Sequence, residues 1–577
     1  MDLIGPNKKR TNNTPPPATL PAPENLMTSA LTDISLTLTW EASVGATSYD
    51  VYQDNVFLIN VPGLTTNVIG LVTDTIYEYH VIARNGATVS PPSYWVKPRT
   101  DDNTIIYPAE VNIDTFAWGP YVYSTLNPIV QGTVAIDPLS GNDSVCINDN
   151  DFSRLVGSYS KTSVFNADDT LLKLYGVNPV TVADDNGVYI IPIATLTNTA
   201  TWTFFPVDGG GRWSPKISNM IYSIWNYTTA PRDISFKMQI FPTNPYGSEI
   251  LLHDFTATHN TIGWGYNEGN IDYNDKYLAI TANKRGAYSG LPQELIVLDL
   301  DNCKAFPNSP SNIHSRMDIA DDAILDWVSI SPSGEFVVLS YFNEFTINPL
   351  SGKAIIVYHN TPGVPSINNS YSKSNINGVS IEGCAIFCES HAGLTLDING
   401  HDCWVGFKQY DPRGSGFDSD NNVWIGGSLG YDNSTYLNCA RLHDGRVQYL
   451  FRDTPDAPYS TRGLFGGYIT GRATERQGWI YVMEGCCMDQ SATIYNSSGR
   501  MSADMIAVKL DWTNNNLMEY YGRSFADRYW TVEASARMVP SRKGNMLHYH
   551  SQYMNTTLNA RVPIYDRMGA SWLLTAM

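Results

Sequence analysis

Charged side chains are scarce in this sequence of 577 residues. Asp, Glu, Lys and Arg together make up 16%, where a soluble domain ordinarily carries about a quarter. Acid dominates among those few, and the net charge is −19. That balance weighs against a sequence-independent grip on phosphate backbones and against an anionic membrane surface. Cysteine is absent from the first hundred residues, and the eight present follow no framework spacing. No disulfide scaffold is spelled out; free buried thiols are expected, with one or two bridges left open. No apolar run is long enough to span a bilayer. The N-terminal stretch lacks the apolar centre of a signal peptide.

Aromatic residues fill the space that charge leaves. Tyr (35) nearly matches Lys plus Arg (37). Aromatic and β-branched residues suit pleated surfaces, so the chain is expected to be all-β. Residues 1–19 read as a Pro-rich arm, with Lys8, Lys9 and Arg10 ahead of Pro15, Pro16 and Pro17. Such a segment is extended and does not pack as a domain. In residues 20–100, "ISLTLTWEAS", "ATSYDVYQDNVFLI" and "TIYEYHVIARN" alternate apolar and polar positions between turn residues, the pattern of an antiparallel sandwich. Trp40, Tyr49, Leu71, Tyr77, Tyr79, Val81 and Ala83 fall in the order and at the distances of the fibronectin type III pattern, which this segment resembles. The resemblance implies an immunoglobulin-like sandwich without its disulfide, used for spacing or adhesion.

From residue 101 to 577 a different grammar repeats. "SISPSGEFVVLSYF" has echoes in "VFNADDTLLKLYG", "RWSPKISNMIYSIW", "NIDYNDKYLAITA", "LTLDINGHDCWVGF", "GRATERQGWIYVME" and "ARMVPSRKGNMLHYH". Each is a short strand, a polar turn and a second apolar strand. The turns align on Asp169, Asn219, Asp275, Gly334, Gly400, Gly478 and Gly544. A four-stranded sheet cannot bury both faces alone, whereas several stacked around an axis can. The spelling resembles the TolB-type repeat, in which a Ser-Pro-Asp-Gly turn joins the inner strands. It implies a seven-bladed β-propeller after the sandwich; six or eight blades also fit the spacing.

Propellers gather function where the inner ends of the blades meet. His391 precedes an innermost strand, and Arg462 and Arg472 frame the sixth one, so these are candidate binding residues, with Trp424 as a sugar-stacking ring. Asp418, Asp420 and Asn422 stand at alternate positions, as oxygen ligands do in calcium loops, but the closing bidentate Glu is missing. His548 and His550, two apart on one strand, share a face and could chelate a metal. Propellers of this spelling include the oligogalacturonate lyases, which that resemblance equips with a His- and Gln-ligated metal. Here Glu533-Ala534-Ser535 and Tyr468-Ile469 occupy places where ligating histidines would stand. No strained Gly-x-Ser-x-Gly elbow and no phosphate loop occur.

These readings point to a non-catalytic display protein of a tailed-bacteriophage virion, because such proteins carry fibronectin-like modules and reach the outside by lysis without an export signal. The arm is expected to dock on other virion proteins, and the propeller to touch host-surface glycans. No cofactor is expected, with calcium at Asp418, Asp420 and Asn422 the one alternative left open. No nucleic acid and no membrane insertion are expected; a homo-oligomer suits such a position. The alternatives are a carbohydrate-active enzyme and a bacterial surface protein.

Overall fold

The computed structural model describes residues 20–576, apart from loops. The longest omitted stretches are 117–130, 149–161, 342–353, 360–373, 403–413, 452–467, 484–503, 524–537 and 552–569. Between 325 and 451 it is largely the strand backbone that is described. The chain forms two compact units, residues 1–103 and 104–577.

Among its described residues the first unit has seven strands. β1 (Met27–Ser29), β2 (Ser35–Thr39) and β5 (Thr65–Ile69) make one sheet, in that order. β4 (Val56–Val61), β3 (Ser48–Gln53), β6 (Tyr79–Asn85) and β7 (Thr88–Pro92) make the other. Period-2 alternation turns one set of side chains inward. Trp40, Tyr49, Leu71, Tyr79, Val81 and Ala83 join a single buried cluster, with Tyr77 packed against it. Trp40 meets Tyr49 edge-on at 5.6 Å, an arrangement that aromatic quadrupoles favour. At the sheet edge β4 is different: Val56 is 68% exposed and Phe57 52%.

Among its described residues the second unit contains seven principal sheets. Six of them, in chain order, begin at Leu171, Arg212, His259, Leu325, Gly414 and Tyr468. We number these blades 1 to 6. Blade 7 combines Val539–Pro540, Met546–Ser551 and Ala570–Thr575 with two strands from the start of the unit, Asp143–Cys146 and Val134–Ile136. Asp143 pairs with Thr575 and Cys146 with Trp572. The last strand is therefore held by the first ones, and the ring closes. This is a seven-bladed β-propeller. A further strand, Glu110–Asn112, adds to the outside of blade 6.

Burial runs between blades. One cluster joins Tyr222 and Phe236 of blade 2 to Leu278 and Ile296 of blade 3. Another joins Tyr481 and Tyr521 of blade 6 to Leu547 and Trp572 of blade 7. A third joins Val539 and Leu573 of blade 7 to Leu172 and Leu174 of blade 1. In these pairs each sheet completes its core with its neighbour's side chains, which is why a single blade would not stand alone. Cys146, Cys303 and Cys439 are free and buried, as small apolar side chains often are. Among the described residues no helix is long and apolar enough to cross a membrane.

Candidate functional site

The repeated turn builds the site. Its first residue folds its side chain back over the turn. Asn166 Oδ1 accepts from the N–H groups of Thr170 and Leu171, both at 2.9 Å. Asp272 Oδ1 accepts from Lys276 and Tyr277 at 2.8 and 2.7 Å. Ser541 Oγ accepts from Gly544 and Met546. Short polar side chains suit this task because they mimic a backbone acceptor. Three residues later the chain turns through the left-handed region, at Asp169 (φ 57°), Asp275 (60°), Gly334 (74°) and Gly544 (78°). Glycine, Asp and Asn tolerate that region best. Gly478 is also left-handed. The turn bearing Asn219 is longer; there Ser214 Oγ accepts from Lys216 and Ile217. Gly400 lies outside the described residues.

Neighbouring turns then bond to one another. Asp169 accepts from the N–H groups of Arg542 (2.9 Å) and Lys543 (3.1 Å), linking blade 7 to blade 1. Asn166 donates to the Ser218 carbonyl at 2.7 Å, linking blade 1 to blade 2. Tyr222 donates to Asp275, and the Tyr273 N–H to the Pro332 carbonyl, continuing to blades 3 and 4. Tyr481 and Tyr521 of blade 6 both donate to the Gly544 carbonyl, at 2.9 and 2.8 Å. Burial pushes Asp169 and Asp272 up to about 6, against the pull of the backbone N–H groups they accept.

These turns border a cavity of about 40 Å³. It is reached by the innermost segments of five blades: Thr162 and Ser163, Arg212, Tyr273, Arg472 and Arg542 are among its walls. Tyr273 spans it, donating to the Gly471 carbonyl of blade 6 at 2.6 Å. The Arg472 guanidinium lies 5.7 Å from the Tyr273 ring centre, and that of Arg212 lies 4.6 Å from the Trp264 ring centre. Arg542 reaches Thr474 Oγ1, the Ala167 and Pro215 carbonyls and Glu475, so it ties four blades together.

The residues singled out in the sequence separate. Arg472 is at this cavity. His391, Arg462, Asp418, Asp420 and Asn422 lie outside the described residues, as does the side chain of Trp424, whose backbone is in the second strand of blade 5. His548 and His550 are both buried in blade 7, with rings 5.3 Å apart. Neither nitrogen of His548 has a hydrogen-bond partner, and burial lowers it to about 3. Among the described residues no group of three His, Cys, Asp or Glu side chains is placed to hold a metal ion. Sequence reasoning missed Arg212, Arg542 and Thr162. An arginine beside each of three turns, in "GRWSP", "TGRAT" and "PSRKG", was the available signal.

Known proteins resemble the two units unequally. Residues 21–99 match the fibronectin type III domain family.

Those residues are a fibronectin type III domain.

Chitinase A1 of Niallia circulans is 41% identical over 87 residues, covering 14% of this chain and 12% of the chitinase. Chitinase Chi52 of Paenibacillus xylanexedens is 38% identical over 79 residues, covering 13% and 15%. The chain therefore spans only a small part of the length of these curated relatives. For most of the chain, similar solved structures include an oligogalacturonate lyase from Vibrio parahaemolyticus. It has a TM-score of 0.47 and 9% identity, over 78% of this chain and 97% of that one. An oligogalacturonate lyase in complex with manganese has a TM-score of 0.41 and 10% identity, over 78% and 99%.

Proposed function

We propose that this chain is a non-catalytic display protein of a tailed-bacteriophage virion, in which the fibronectin domain serves contact with neighbouring proteins and the propeller presents loops to host-surface glycans. The observation that carries this reading is the edge strand β4. Val56, Phe57, Leu58 and Ile59 are all exposed there, between 42% and 68%. Soluble domains usually blunt such an edge with charge or proline, because its backbone and apolar side chains invite another chain. The stiffness of the propeller adds support, since its turns and arginines bond blade to blade at the axis. Residues 1–19 would dock on the particle, and Asp418, Asp420 and Asn422 would hold calcium if the virion carries it.

Labelling purified particles of the source with antibody to this chain tests the placement; particles without label contradict it. Leu58→Lys should reduce incorporation of the chain into particles severalfold. A second reading, a carbohydrate-active enzyme with an accessory domain, is favoured by the fibronectin domain shared with two chitinases. Chelator-sensitive turnover of polyuronates, or hydrolysis of chitin, by the purified chain would establish that reading instead.

A further inference from the structure

We propose that strand β4 of the fibronectin domain is a self-association edge, which pairs antiparallel with β4 of a second copy of this chain about a two-fold axis. The inference rests on the reading of that edge as a contact surface and names what occupies it.

β4 pairs with β3 on one side, and among the described residues no strand lies on its other side. An edge strand turns about half of its N–H and C=O groups outward, where they form a template for another strand. None of the six side chains of β4 is charged. Leu64, just past the end of β4, and Ile69, at the end of β5, are exposed as well and extend the apolar patch. The strand is also held still. On the outer face Phe57 meets Tyr52 edge-on at 5.8 Å, Tyr52 stacks on His80 at 4.7 Å, and His80 packs on Trp95 at 4.2 Å. Asn60 donates to Ser48 Oγ and to Asp50 Oδ1, at 3.2 and 2.6 Å. A strand already ordered loses little freedom when it pairs.

Charge selects the occupant. The chain carries a net charge of −19, so two copies repel over most approaches. A strand without carboxylates is where they meet at least cost. In an isologous contact the strand meets itself, and a charge near the axis would face its own copy. The register follows from the faces. Phe57 and Asn60 stand opposite Tyr52 and Asp50, on the outer face. Val56, Ile59 and Val61 stand opposite Gln53, Val51 and Tyr49, on the inner face. Leu58 is the extra residue of a β-bulge. With the axis between Leu58 and Ile59, Phe57 opposes Asn60 of the second copy and Val56 opposes its Val61, each pair on one face. Asp54 then falls opposite Gly63 and not opposite another acid. A bulge ordinarily blunts an edge; here both copies carry it at the axis, so the two match. Six residues span about 20 Å, and pairing over that length buries less than the roughly 1,200 Å² of a standard interface. The association is therefore weak and reversible in solution, and it strengthens where copies are held close together.

The test is sedimentation velocity of the full-length protein over about 1–100 μM, with hydrogen exchange at both ends of that range. We expect a monomer that becomes a dimer as concentration rises, and slower exchange of amides within Val56–Val61 in the dimer; the exchange readout needs no variant. Leu58→Lys sets like charges against each other at the axis and should weaken dimerisation about tenfold or more. Thr88→Lys adds the same charge on β7, the opposite edge of that sheet, and should leave dimerisation unchanged. A wild type that stays monomeric or that assembles beyond a dimer overturns the proposal. So does a folded Leu58→Lys protein that dimerises as well as the wild type, or a loss as large with Thr88→Lys. A monomeric chain on labelled particles removes the pairing of copies and leaves the display reading standing. A dimer with unlabelled particles does the reverse.

Discussion

In the fibronectin domain the buried side chains of both sheets, from Leu20 to Val96, form one cluster within a single short segment. In the propeller, buried clusters straddle neighbouring blades, and the seam is closed by pairing Asp143–Cys146 with Ala570–Thr575. The contacts of the first unit all fall within one short segment, Leu20 to Val96. The second completes its last blade only when the two ends of the unit meet. Loop closure of that span must precede its reward, so the ring is expected to form late and as a unit. The two units also treat polar groups differently. The domain leaves an apolar edge in water at β4. The propeller gathers carboxylates, tyrosines and arginines at its turns and uses them to join blades.

That contrast can be broken most severely at the buried Arg476–Glu519 pair. Arg476 bonds Glu519, Tyr481 and Tyr521, and its guanidinium lies 3.5 Å from the Tyr107 ring centre. Arg476→Met leaves Glu519 charged and covered. A loss of about 3–5 kcal/mol is expected, read as a lowered calorimetric transition of the propeller with the domain's transition unchanged. Trp40→Ala is the converse. It should cost about 3–5 kcal/mol in the fibronectin domain and leave the propeller transition in place. If either substitution lowers both transitions equally, the units are not energetically separate.

A smaller loss is expected at Gly544. An added Cβ would stand 1.9 Å from the Tyr481 hydroxyl, on a backbone already at φ +78°. Gly544→Ala should cost about 2–4 kcal/mol, measured by denaturant unfolding of the propeller. An unchanged midpoint would show that the turn can shift without loss.

The smallest effect is a slope with pH. Burial keeps His548 neutral down to about pH 3, whereas an unfolded chain protonates it near 6.5. Its contribution to stability is therefore complete above about pH 6.5. It is lost as pH falls toward 3, by about 1.4 kcal/mol per unit. Asp169 and Asp272, raised to about 6, act in the opposite sense: their burial penalty is relieved as pH falls from 6 to about 4. Comparison of His548→Leu with the wild type isolates the histidine. The variant should lose less stability between pH 6.5 and 4, and parallel curves would contradict the assignment.

Much of this was legible in the sequence for a physical reason. Trp40, Tyr49, Tyr79 and Val81 are core residues on regular strands, so their spacing carries the fold. The propeller turns were legible because left-handed backbone and a folded-back acceptor restrict residue choice at Asp169, Asp275, Gly334 and Gly544. The closing strands were not. Asp143–Cys146 meets Ala570–Thr575 through ordinary backbone pairing, which any β-forming segment can make. The cavity beside the turns was singled out in the sequence only at Arg472. Its other walls come from separate blades; an arginine beside a turn marks Arg212 and Arg542, and nothing local marks Thr162.

The most direct test is deletion of residues 570–577, followed by hydrogen exchange across residues 134–146. Closure of the ring by the two ends predicts that the amides of Asp143–Cys146 lose their protection and that the propeller transition collapses, while residues 20–100 exchange as before. Protection retained over 143–146 in the shortened chain would contradict the closed seven-bladed ring.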